Sequence, residues 1–131
     1  MPQFTKLTPN LVVADVGRSL TFYEQVLGFS RGLTVPEQPP LVFASVTSGA
    51  IEIFLNDRAD VVKNHPALAD KVNPSAGGQM FIEMPSGIDE WWQAVKDRAT
   101  VIMPIVTQWY GMREFAVADP DGYVITFAQR V

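Results

Sequence analysis

One order of elements occurs twice along this chain, and that repetition constrains the fold more than any single motif does. Residues 7–13 read as a short strand, residues 16–27 as a helix, and residues 29–33, 41–47 and 50–56 as three more strands. After a polar stretch the order returns. A strand covers 79–84, a helix carries Ile88, Trp91, Trp92 and Val95 at i, i+3, i+4 and i+7, and strands follow at 101–107, 113–118 and 123–128. One helix cannot cover both faces of such a unit's sheet. Two units side by side can bury both helices against one strongly curved sheet and leave its concave face open. The expected fold class is therefore α+β: two βαβββ modules forming a curved, half-open mixed sheet. Module one spans about residues 5–57, a linker about 58–78 and module two about 79–131, within a single domain.

Local chemistry sets the element ends. Asp15 suits the N-cap of the first helix, Leu20, Tyr23 and Leu27 recur at helical spacing, and Gly28 suits the C′ position, where positive φ is cheap. Ser48-Gly49 marks a hairpin whose second strand points Ile51, Ile53 and Leu55 one way and Glu52, Phe54 and Asn56 the other. Pro36, Pro39 and Pro40 force a loop. Pro66, Pro74 and Gly77-Gly78 mark the linker, with room for one short helix. Ser86 and Asp89 have capping-box spacing ahead of the second helix. A four-residue turn over Asp119-Pro120-Asp121-Gly122 puts Arg113 on one face with Phe115 and Thr126, and a one-residue change of register reverses that.

Composition excludes several classes of function. There are 10 Lys+Arg against 14 Asp+Glu, a net charge of −4, and no basic cluster, so no nucleic-acid partner is expected. With no Cys, thiolate metal sites and cysteine nucleophiles are out. No apolar run approaches the roughly 20 residues that span a bilayer. The N-terminus lacks a signal-peptide pattern, so no membrane association and a cytoplasmic location are expected. His65, the only His, sits in the linker and reads as a solvated side chain. Nucleophile-elbow, Walker and dinucleotide-binding motifs are absent.

The segment Leu11-Val12-Val13-Ala14-Asp15-Val16, with Ser19, Phe22-Tyr23 and Leu27-Gly28-Phe29, resembles the first module of the vicinal oxygen chelate superfamily. That superfamily holds glyoxalase I, fosfomycin and bleomycin resistance proteins and extradiol dioxygenases. The run from Tyr110-Gly111-Met112-Arg113-Glu114-Phe115 through Asp119-Pro120-Asp121-Gly122-Tyr123 to Phe127 resembles its second module. The loop from 109 to 115 is most similar to bleomycin resistance proteins. The resemblance implies a divalent-metal site at four positions, which fall here on Thr8, Glu52, Gln79 and Thr126. Only Glu52 matches the family's His and Glu pattern fully, and Gln79 is a weaker oxygen donor. Catalytic zinc takes three strong protein ligands, so no metal and no other cofactor is expected.

Glu52 can instead serve as a metal-free general base, its basicity raised by an apolar cup, or hydrogen-bond Gln79. Phe54 and Phe81 alternate with these residues, so they line the cup or fill it. Trp109 and Tyr110 sit in a loop that borders the binding groove in the resembled family. Arg113 either joins the site or pairs with a surface acid, and of Trp91 and Trp92 at least one belongs to the core. The ligand-binding set is thus Glu52, Phe54, Gln79, Phe81, Trp109, Tyr110, Arg113 and Thr126, with Glu52 as the catalytic candidate. The expected function is metal-independent binding of a small molecule, an antibiotic or aromatic compound, by sequestration in a homodimer. The alternative is a glyoxalase- or dioxygenase-like enzyme with an atypical metal site.

Overall fold

In the first half of the chain, β1 (Asn10–Val13) runs parallel to β4 (Ile51–Asp57), which pairs antiparallel with β3 (Phe43–Ser48), and β3 with β2 (Ser30–Val35). The resulting order is β1-β4-β3-β2. The second half repeats it as β5-β8-β7-β6, with β5 (Gln79–Glu83), β6 (Thr100–Thr107), β7 (Met112–Ala118) and β8 (Val124–Arg130). The computed structural model describes residues 1–72 and 78–131. The chain divides between residues 73 and 74 into two units, one for each sheet. This is the expected α+β arrangement of two βαβββ modules, with one mixed four-stranded sheet in each.

Module one builds its core from the alternation in β4. Ile53 and Leu55 are buried, and their cross-strand partners Val46 and Ala44 face the same way. Against them lies α1 (Val16–Thr21), which buries Val16, Ser19 and Leu20. Each fully buried aliphatic side chain contributes about 1.5–3 kcal/mol. Asp15 caps α1 as expected, its Oδ1 accepting the Arg18 N–H at 3.1 Å. The expected α-helix to residue 27 changes character at Phe22–Val26, a π-helical turn in which the Leu27 N–H returns to the Phe22 carbonyl at 3.2 Å. The widened turn lets Tyr23 enter the core edge-on to Phe22 and Phe29, at 5.5 and 5.8 Å between centroids. Gly28 ends it at φ 73, in the left-handed region expected of a C′ glycine.

The expected linker begins with order. Asp57 caps α2 (Arg58–Asn64) through the Asp60 N–H, and a single 3₁₀ turn, Pro66–Leu68, follows. Its Pro74 and Gly77 lie outside the described residues.

In module two, α3 (Ile88–Val95) lies on its sheet through aromatics. Trp92 meets Phe115 at 5.1 Å, Trp91 meets Phe127 at 5.7 Å, and Phe115 and Phe127 stack at 5.4 Å. Both tryptophans therefore pack on the sheet. The expected Ser86 capping box does not form. Gly87 takes the N-cap position at φ 83 and leaves Ser86 outside the helix, while Gln129 Oε1 on β8 accepts the Ile88 N–H at 2.9 Å.

The closing hairpin has the second correction. Ala118 pairs with Val124, so the turn holds Tyr123 as a fifth residue and every pair beyond it slips by one relative to a four-residue turn. Asp119 is the cause. Its Oδ1 accepts the N–H groups of both Asp121 and Tyr123 at 2.9 Å, which draws Tyr123 into the turn. No helix among the described residues is long and apolar enough to cross a membrane.

Candidate functional site

The register decides which side chains of module two can meet. Phe115 pairs with Phe127 and Arg113 with Gln129, so these four share the face that carries α3. Arg113 spans from that face to the helix, donating from Nε to Asp89 at 2.9 Å and from Nη1 to Thr107 at 3.0 Å. The expected sharing of a face by Arg113 and Thr126 is thus overturned: Thr126 pairs with Ala116 and points the other way.

The opposite face carries a polar group set among small and apolar residues. Thr126, Ala116, Ala128 and Glu114 occupy its central strands, and parallel pairing with β5 adds Gln79 and Phe81. Thr126 Oγ1 donates to Gln79 Oε1 at 2.9 Å. Phe81 is half exposed.

Glu114 is the functional candidate that sequence reasoning missed. It is 4% exposed. Its Oε1 accepts the Tyr110 hydroxyl at 2.6 Å and the Gln108 amide at 3.3 Å. Its Oε2 is buried with no hydrogen-bond partner, the one such side-chain atom among the described residues. Tyr110 and Trp109 come from the loop between β6 and β7, which closes where the Gln108 N–H meets the Met112 carbonyl at 2.7 Å. Their rings sit edge to face at 5.4 Å, and Trp109 is 93% exposed. Donation to the Glu114 carboxylate raises the Tyr110 phenol above its ordinary value of 10.0, with desolvation and the carboxylate's charge adding to the effect. The phenol therefore remains a neutral donor near pH 7. The sequence did hold a signal. Arg113 and Glu114 are adjacent, and strand alternation sends one of two adjacent charges to each face.

Module one presents Glu52 and Phe54 on one face, as the alternation of β4 requires. Phe54 packs edge-on against Phe43 at 5.2 Å. Lys6 Nζ donates to Glu52 Oε1.

These bonds bear on a divalent metal. Of the four positions implied by the resemblance, Glu52 is neutralised by Lys6, Gln79 accepts from Thr126, and Thr8 adds only a neutral hydroxyl. Among the described residues no three of His, Asp and Glu cluster. The donor set does not fit a divalent metal. His65 is exposed between α2 and the 3₁₀ turn. A cleft of about 430 Å³ lies beside Ala14, Asp15, Pro39, Pro40 and Asp57, but both of its carboxylates serve as helix caps.

Comparison with known proteins places these observations in a family. The sequence model described as Glyoxalase/Bleomycin resistance protein/Dioxygenase superfamily matches residues 4–127. The chain is similar to a bleomycin resistance protein of Geobacillus stearothermophilus, with 29% identity across 94% of this chain and 95% of the relative. In structure it is similar to a glyoxalase/bleomycin resistance protein/dioxygenase from Nocardioides, with a TM-score of 0.81 and 19% identity over 100% of this chain and 86% of that one. It is also similar to a lactoylglutathione lyase from Agrobacterium tumefaciens, with a TM-score of 0.74 and 17% identity over 98% of this chain and 95% of that one. At these identities the two structures speak for the fold alone.

Proposed function

The chain belongs to the glyoxalase/bleomycin resistance protein/dioxygenase superfamily, and from that premise we propose that it binds a small, partly aromatic molecule and sequesters it without a metal. Both modules act in this reading as one domain over residues 1–131. The observation that carries it is the pairing of Glu52 with Lys6 and of Gln79 with Thr126, which occupies the best donors at the superfamily's metal positions. What remains available is suited to holding a guest. Trp109, Tyr110 and Phe81 offer exposed ring surface, and Phe54 offers part of a ring. Gln79 and Thr126 supply polar groups that orient a ligand. Sequestration needs no bond making. It needs ring area removed from water and a few placed hydrogen bonds.

The similarity to bleomycin resistance proteins over 94% of the chain supports an antibiotic or a related aromatic compound as ligand. A homodimer belongs to the same reading. Edge strand β2 of module one exposes Leu33 and Val35, and edge strand β6 of module two exposes Ile102 and Val106, apolar side chains of the kind a second copy would cover. The cytoplasm is the proposed location.

A melting series with bleomycin and with neutral planar aromatics tests the proposal. A ligand that binds only the folded state raises the Tm as its concentration increases, so a dose-dependent rise is expected with at least one compound. The absence of any rise overturns the proposal. So does stoichiometric metal in the purified protein, joined to a reaction that ceases on its removal, which returns the chain to the enzymes of its superfamily.

A further inference from the structure

We infer that Glu114 is a recognition point for a compact organic cation, an ammonium, amidinium or guanidinium group carried on the ligand, with Tyr110 as its latch. The inference rests on the small-molecule reading above and adds to it the charge of the ligand. A buried carboxylate is costly unless both of its oxygens are supplied with donors. Here the supply is one-sided. Tyr110 and Gln108 both donate to Oε1, and Oε2 has nothing. Both donors are neutral, and no Lys or Arg among the described residues forms an ion pair with Glu114. Arg113, its chain neighbour, is turned to the other face and paired with Asp89. The charge and one oxygen of Glu114 are therefore both uncompensated.

A ligand N–H⁺ would correct both deficits with a single charge-assisted bond to Oε2. Oε2 is sealed from water, so the cation reaches it by moving what holds the carboxylate from the loop side. That element is Tyr110, whose hydroxyl is a 2.6 Å tether on an otherwise 44% exposed side chain. When displaced, the Tyr110 ring and its edge-to-face neighbour Trp109 offer π-faces to the same cation.

Calorimetric titration of the intact protein with benzamidine and its neutral isostere benzamide tests the inference. The wild type is expected to bind benzamidine about tenfold or more tighter, the scale of one hydrogen bond to a charged group. Glu114→Gln keeps an acceptor for Tyr110 but removes the charge, and should bring the two probes within about twofold of each other. Tyr110→Phe keeps the ring and removes the competing donor. It should raise the preference for benzamidine over benzamide severalfold, and serve as the readout if Glu114→Gln does not fold. Equal binding of both probes to the wild type, or a cation preference that survives Glu114→Gln, overturns the inference and leaves small-molecule binding standing. Failure of both probes, together with no Tm rise from any planar aromatic, overturns both.

Discussion

The two modules share a strand order but differ in how they complete a helix and in how they treat a carboxylate. In module one the helix is capped from within, by Asp15 three residues before the amide it accepts. In module two the cap reaches α3 from β8, 41 residues away in sequence. Module one neutralises Glu52 with a flexible, exposed lysine. Module two buries Glu114, gives it two neutral donors and leaves one oxygen bare. A common architecture thus leaves freedom in its polar details.

The sharpest way to break the contrast lies in the cores. Phe115 is fully buried between Trp92 and Phe127. Phe115→Ala should destabilise the protein by about 3–5 kcal/mol in chemical denaturation, because the aromatic cluster cannot collapse into the space left. A loss under about 1 kcal/mol would show that the aromatics do not fasten α3 to its sheet. The caps come next. Asp15→Ala and Gln129→Ala should each cost about 1 kcal/mol, but hydrogen exchange should separate them. Asp15→Ala speeds exchange of the Arg18 amide, and Gln129→Ala that of the Ile88 amide. Exchange at Ile88 unchanged in Gln129→Ala would remove the long-range cap.

How far the sequence revealed this structure follows the range of the interactions. The Asp15 cap, the positive φ of Gly28 and the division of β4 into an aliphatic and a polar face are set by residues within a few positions of one another, and all were legible. The pairs Lys6 with Glu52 and Ile88 with Gln129 were not, because each joins strands or termini that only the folded sheet brings together. The closing hairpin fails for a subtler reason. Asp119-Pro120-Asp121-Gly122 does signal a turn, but one Asp119 oxygen that accepts two amides adds a fifth residue. That single step sends Thr126 away from Arg113 and onto the face that carries Glu114. The candidate site therefore depended on the one register that the motif left open.

Smaller effects sharpen the comparison of the carboxylates. Lys6→Ala should change stability by less than about 1 kcal/mol, since Lys6 is largely exposed and such pairs contribute little. A larger loss would mean that module one depends on its ion pair. The smallest effect concerns alkaline pH. The Tyr110 phenol ionises later in the folded protein than in the unfolded chain. Its contribution is therefore fully present below the ordinary value of 10.0 and is lost as pH rises through the raised one. Tyr110→Phe should flatten that part of the stability–pH curve, and an unchanged slope would place the alkaline loss elsewhere.

Quenching of Trp109 fluorescence by a titrated planar aromatic, with and without a strong chelator and with Trp109→Phe as the reference, tests metal-free binding most directly. Metal-free binding gives saturable quenching that Trp109→Phe loses and whose midpoint is the same in both buffers. Binding that disappears when the chelator is added would contradict it.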